Sequence, residues 1–211
     1  MNTLQFLDYA GVAVFAATGA LAASRKQLDI IGFLFLAGVT GIGGGSVRDL
    51  VLGQTPVFWV DNPIYLLVCA AIAIIVFFTA HLFESRYILL LWLDSLGVSA
   101  YAVMGAAKGF AATGSAAVAI VMGMLTATFG GILRDVLAGE PSVLLRPEIY
   151  VTAALAGAAS YVAATMLGAP LIAAAIIGFL VTFAIRGGAL RFGWSFPTYK
   201  SRPGRDPDDI M

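Results

Sequence analysis

This chain is poor in charge. Lys, Arg, Asp and Glu together make up 11% of its 211 residues, less than half of the roughly 25% found in soluble domains, so most of the chain cannot carry a water-facing surface. Twelve Lys and Arg balance twelve Asp and Glu, which leaves no basic footprint for a nucleic-acid partner. The only histidine, His81, stands apart from any cysteine or carboxylate cluster, so no metal site is expected. The only cysteine, Cys69, lies in an apolar stretch; it excludes an intrachain disulfide and reads as a small buried apolar side chain. Catalytic patterns are missing too. There is no Gly-Xaa-Ser-Xaa-Gly elbow, and Gly41-x-Gly43-x-x-Ser46 lacks the strand-turn-helix setting of a dinucleotide site. Neither an enzyme nor a cofactor site is expected.

What fills the chain instead is hydrocarbon: 60% of residues are hydrophobic and the mean hydropathy is +0.94. A helix crosses a bilayer core with about 20 mostly apolar residues. That criterion predicts an all-α membrane protein with seven spans at 5–24, 28–52, 62–83, 88–107, 115–138, 148–167 and 170–186. Met1 to Asp8 lacks the basic region of a cleaved signal, so the first span is read as retained. The connections are short and carry turn chemistry, as at Lys108-Gly109 and Gly168-Ala169-Pro170. Residues 1–196 then form one transmembrane domain, and 197–211, polar and proline-rich, read as a disordered tail. Arg25, Lys26, Arg86, Arg146, Arg186, Arg191, Lys200, Arg202 and Arg205 fall on one side by parity, against Lys108 on the other. The positive-inside rule then places the C-terminus in the cytoplasm and the N-terminus outside a multi-pass plasma (bacterial inner) membrane.

Shifting the chain by 86 residues against itself lays Asp8 on Asp94, Gly19 on Gly105, Thr40 on Thr126, Gly44-Gly45 on Gly130-Gly131, Arg48-Asp49 on Arg134-Asp135, and Gly53 on Gly139, without a gap. Each unit holds three spans, about 5–83 and 88–167. An odd number forces the second unit to enter from the opposite face, giving an inverted 3+3 repeat with a seventh helix added, an architecture that transport proteins place around the bilayer midplane.

The second span of each unit carries the chemistry: Gly43-Gly44-Gly45-Ser46-Val47-Arg48-Asp49 and Phe129-Gly130-Gly131-Ile132-Leu133-Arg134-Asp135. Glycine in a helix interior costs about 1 kcal/mol relative to alanine. Two readings account for such runs in lipid: a kinked or unwound segment lining a wet path, or close helix packing. Arg48 and Arg134 cost about 2.5–3.5 kcal/mol near the membrane centre, so both should face the interior and be paired. Depth matches Arg48 with Asp8 and Arg134 with Asp94, leaving Asp49 and Asp135 to cap backbone or cross between repeats. Thr18, Thr40, Ser46, Ser99, Tyr101, Thr126 and Thr128 supply hydroxyls that either line a path or bond back to their own helices.

The two Gly-Gly-x-x-Arg-Asp motifs, on the second and fifth of seven helices, resemble the bacterial branch of the trimeric intracellular cation (TRIC) channels over about residues 5–190. The resemblance implies a homotrimer in membrane lipid, a pore through each protomer, and conduction of monovalent cations such as potassium. It implies that Gly43, Gly44, Gly45, Gly130 and Gly131 shape the pore beside Ser46, Thr40 and Thr126, and that Arg48, Asp49, Arg134 and Asp135 are the family's Arg-Asp pairs. Phe129 departs from the glycine triplet, so the two halves need not be equivalent. The Lys-Glu-Val motif of animal members is missing, and there is no Thr-Val-Gly-Tyr-Gly filter. The competing reading is a secondary transporter for a small solute such as glycine, since inverted repeats serve both functions.

Overall fold

The computed structural model describes residues 3–145 and 149–197. The expected tail lies outside these apart from Pro197, as do Arg146, Lys200, Arg202 and Arg205 of the cation census. The described chain is helical: α1 (Thr3–Arg25), α2 (Ile30–Val51), a four-residue α3 (Phe58–Asp61), α4 (Ile64–Thr79, prolonged by a 3₁₀ turn Ala80–Leu82), α5 (Arg86–Thr113), α6 (Ala116–Leu137), a 3₁₀ turn Val143–Leu145, α7 (Val151–Met166) and α8 (Leu171–Phe192). Five stretches, Ile30–Val51, Ile64–Leu82, Arg86–Thr113, Ala116–Leu137 and Leu171–Phe192, are long and apolar enough to cross a membrane, and Val151–Met166 is a shorter apolar helix.

Local chemistry sets the helix starts. Asp29 accepts from the Gly32 amide at 2.8 Å, Ser85 from Ile88 at 3.3 Å and Ser115 from Val118 at 3.4 Å, each satisfying a first-turn donor that has no partner within the helix. Two helices outrun their expected spans. α5 continues through Lys108-Gly109, because Gly109 packs against Ala119 and Met122 of α6, and stops at Gly114, whose φ of 65° is left-handed. α8 continues through Arg186 to Phe192 and stops at Gly193, φ 69°. Both stops are glycines in a conformation that a Cβ disfavours.

The repeat is visible atom by atom. After α2 the amides of Gly53 and Gln54 donate to Leu50 and Asp49 carbonyls at 3.1 and 2.8 Å; after α6 those of Gly139 and Glu140 donate to Val136 and Asp135 at the same 3.1 and 2.8 Å. α1 packs on α2, α4 and α5, α5 packs on α6, α7 and α8, and α2 meets α6 across the repeats. At the α1–α5 crossing Tyr101 lies over Gly11 and Phe15 over Gly97, equivalent residues exchanged, with the two rings 5.1 Å apart.

The glycine runs do not unwind their helices. α2 is helical from Ile30 to Val51 and α6 from Ala116 to Leu137 without interruption. A Cβ on Gly44 would strike the Thr126 carbonyl oxygen, and one on Gly130 would come within 2.5 Å of the Thr40 carbonyl oxygen. Backbone meets backbone there. At Gly44 and Gly130 the missing side chains let α2 and α6 approach closely, and of the expected forms the unwound turn is corrected, since both helices run without a break.

Candidate functional site

Four carboxylates and three arginines are buried in this apolar fold: Asp8, Asp49, Asp94, Asp135, Arg48, Arg134 and Arg186. Arg48 and Arg134 each fork onto the next residue. Arg48 Nε donates to Asp49 Oδ1 at 2.8 Å, and Arg134 Nε donates to Asp135 Oδ1 at 3.0 Å. The second oxygen of each aspartate reaches forward, Asp49 accepting from the Phe58 amide at 2.9 Å and Asp135 from the Val143 amide at 3.0 Å. Asp49 and Asp135 therefore cap the backbone as expected, but they also hold their own arginines. Charges that would be costly in an apolar interior are matched this way.

Beyond this shared fork the two ends differ. Arg134 Nη1 pairs with Asp94 Oδ1 at 2.8 Å, with both side chains at 2% exposure, as depth matching predicts. The equivalent pair of Arg48 with Asp8 is not formed. Asp8 Oδ2 instead takes Lys108 Nζ at 3.2 Å and the Tyr65 hydroxyl at 3.1 Å. Lys108, expected in a loop, is instead carried by α5 into reach of α1 and takes the carboxylate that depth assigns to Arg48. Lys108 Nζ and the Arg48 guanidinium carbon also lie 5.5 and 5.6 Å from the centre of the Phe58 ring.

At the Asp94 end, Arg25 and Lys26 both reach Glu140, at 3.3 and 3.5 Å, over a cleft lined by Ala22, Arg25, Leu90, Arg134, Asp135 and Glu140 among others. Tyr150 is buried with its hydroxyl over Gly131. Arg186 stands over the Tyr150 ring at 5.1 Å and donates to the Ile149 carbonyl at 3.3 Å.

The family model described as "Glycine transporter" matches residues 5–81 and 91–166, which are the two repeats. A crystal structure of the TRIC trimeric intracellular cation channel orthologue from Rhodobacter sphaeroides superposes with a TM-score of 0.90 at 52% identity, covering 92% of this chain and 100% of that one. The chain belongs to the prokaryotic TRIC family. A second TRIC cation channel structure shares 30% identity at a TM-score of 0.85, with 96% and 100% covered. Among curated sequences, a UPF0126 membrane protein of Vibrio cholerae is 40% identical over 202 residues, covering 94% of this chain and 83% of that protein. The UPF0126 inner membrane protein YadS of Escherichia coli is 38% identical over 199 residues, 92% and 95% covered.

Within this TRIC fold most of the expected hydroxyls turn back on their own helices: Thr18 donates to Phe15, Thr40 to Leu36, Ser99 to Ser95, Thr126 to Met122 and Thr128 to Met124. Ser46 donates to Ile42 and accepts from the Trp59 indole at 2.9 Å, and the Tyr101 hydroxyl crosses to the Gly41 carbonyl at 3.1 Å. Four site residues escaped sequence reasoning. Lys108 and Glu140 fall in expected connections, Arg186 closes the expected seventh span and is counted among the cations of one side, and Tyr150 stands at an expected span start. The repeat offset held a signal for Tyr150, since Tyr65 is its match in the first repeat, shifted by a single position.

Proposed function

We propose that this chain is a monovalent-cation channel, permeable to potassium, with a pore through each protomer of a homotrimer in the bacterial inner membrane. The observation that carries the reading is the match over the whole length of the R. sphaeroides TRIC channel at 52% identity. In this reading α1 and α7 join the five long apolar helices to make seven spans. The Asp8 end faces outside and the C-terminus lies in the cytoplasm, by the positive-inside rule. The path links two charged ends, Asp8, Arg48 and Asp49 at one and Asp94, Arg134 and Asp135 at the other. Between them lies the α2–α6 crossing, where Gly44 and the Thr40 carbonyl abut Gly130 and the Thr126 carbonyl, with Gly43, Gly45, Ser46 and Gly131 flanking it. The constriction sits where Gly44 and Gly130 abut. The family is one of channels, not of enzymes.

A second reading has one specific observation behind it: the family model that matches both repeats is described as a glycine transporter. Purified protein in a planar bilayer under a potassium gradient separates the two, with glycine uptake measured in liposomes from the same preparation. Discrete conductance steps without saturable uptake are the expected result. Saturable glycine uptake with no unitary current would replace the channel with the transporter. Cysteine placed at position 2 should react with impermeant reagent from outside; protection there reverses the orientation.

A further inference from the structure

α8 lies outside both repeats, yet it reaches the charged end that carries Asp94. Gly178, Thr182 and Arg186 recur every four residues and so share one face of this helix. At Gly178 that face meets the backbone of α7. A Cβ there would come within 2.9 Å of the Gly157 carbonyl oxygen, and one on Gly157 would lie 2.7 Å from the Gly178 carbonyl oxygen. The register of α8 against α7 is thus fixed. Two turns further on it delivers Arg186, fully buried, to the Ile149 carbonyl at 3.3 Å and to the Tyr150 ring, whose centre is 5.1 Å from the guanidinium carbon.

The ring takes this partner where its own repeat supplies none. In the first repeat Tyr65 stacks on Tyr9 with centroids 4.4 Å apart, meets the edge of Phe58 at 4.7 Å, and donates its hydroxyl to Asp8 Oδ2. The residues 86 positions after Tyr9 and Phe58 are Ser95 and Leu144. Neither is aromatic, and Leu144 is 51% exposed. The Tyr150 hydroxyl makes no hydrogen bond among the described residues. It stands over Gly131, where a Cβ would lie 2.6 Å from it, 3.4 Å from Asp94 Oδ1 and 3.6 Å from Arg134 Nη2. What packs on the ring therefore decides where the hydroxyl stands.

Building on the channel reading, we propose that Arg186 is a positioning residue of the conducting path: its guanidinium, set over the Tyr150 ring, keeps the hydroxyl above Gly131 and Arg134 folded onto Asp94 and Asp135. A cation is attracted to an aromatic face most strongly away from water, and both side chains are buried. Arg134 borders the cleft at this end. Released from Asp94, it would present a mobile positive charge to entering cations.

Potassium flux per reconstituted trimer and reversal potential under a potassium chloride gradient are measured for wild type, Arg186→Gln, Arg186→Lys and Tyr150→Leu. Arg186→Gln should lower flux several-fold and move the reversal potential away from that of potassium, although it deletes a positive charge. A direct electrostatic role for Arg186 predicts the opposite sign in both readouts. Arg186→Lys, which keeps a cation over the ring, should restore most of the loss. Tyr150→Leu, which removes the ring, should lower flux as Arg186→Gln does, and combining the two should add nothing further. A brace of the fold alone would lower the thermal midpoint and leave the reversal potential of the assembled protein where it was. Where Arg186→Gln does not assemble, Tyr150→Leu decides. Assembled Arg186→Gln or Tyr150→Leu with wild-type or raised flux and no loss of potassium preference would overturn the positioning role. Wild-type protein that passes no potassium would overturn the channel reading itself, and this role with it.

Discussion

The two ends of this molecule start from the same motif and finish differently. At the Asp94 end one arginine is gripped by two carboxylates, with Asp94 and Asp135 at 2.8 and 2.9 Å. At the Asp8 end the arginine keeps only its neighbour, Asp49 at 2.7 Å, and the other carboxylate is lent to a lysine on α5. A single position, lysine against alanine, separates an end where two carboxylates hold one arginine from an end where they are divided between two cations. Two repeats are bound to share a fold, but they are free to divide labour, and here the division is electrostatic.

The comparison breaks most easily at its locked end. Removing Asp94 leaves Arg134 buried with only its neighbour, and loss of one member of a buried pair typically costs about 3–5 kcal/mol. Asp94→Asn should therefore lower the thermal midpoint of the detergent-solubilised protein sharply. Asp8→Asn should cost much less, because Lys108 is partly exposed and can turn to water. Equal losses for the two variants would show that the ends are not divided as described.

Next in size is the crossing between the ends. A methyl group on Gly44 meets the Thr126 carbonyl, and one on Gly130 meets the Thr40 carbonyl, both rigid backbone, so α2 and α6 must separate. Overpacking of this kind costs about 1–3 kcal/mol. Gly44→Ala and Gly130→Ala should each destabilise by such an amount and reduce flux together, since either one moves both repeats. Gly38→Ala on the same helix is the control: nothing lies within 4 Å of its Cβ, and helix propensity makes it neutral or stabilising by up to about 1 kcal/mol. If Gly44→Ala behaved like Gly38→Ala, the close contact of the two backbones would be wrong.

Much of this was legible in the sequence because membrane solvent leaves few options. Apolar length marked the helices, and the 86-residue offset located the repeat through Asp and Arg, which are too scarce in this chain to coincide by composition alone, unlike its 24 glycines. Arg134 with Asp94 followed from depth. What stayed hidden depended on where helices stop and how far side chains reach. Gly109 looked like a turn residue, yet it was a packing contact, and the helix ran one more turn to Gly114. That extension makes Lys108 a partner of Asp8 rather than a loop cation. The expected seventh span ends at Arg186, whereas α8 runs on to Phe192, so a buried arginine is counted among the loop cations. The forked Arg48-Asp49 and Arg134-Asp135 contacts also escaped, because neighbours on an ideal helix point about 100° apart and only the long guanidinium closes that gap.

The smallest effect on stability should come from the rim of the Asp94 end. Glu140 is shared by Arg25 and Lys26, with side-chain exposures of 18%, 29% and 37%, and pairs this wet contribute about 0–1 kcal/mol. Glu140→Gln should hardly move the thermal midpoint. Its electrostatic effect is larger than its energetic one: two cations that shared a carboxylate now face the cleft above Arg134 unopposed. Potassium flux should fall, and the fall should shrink as ionic strength rises, because exposed charges are screened over roughly 10 Å at 0.1 M salt. The reverse change, Arg25→Gln with Lys26→Gln, frees Glu140 and should raise flux with the same salt dependence. If neither variant alters flux at low salt, the cleft lined by Ala22 and Arg134 is not the mouth of the path, and the comparison between the two ends is one of stability alone.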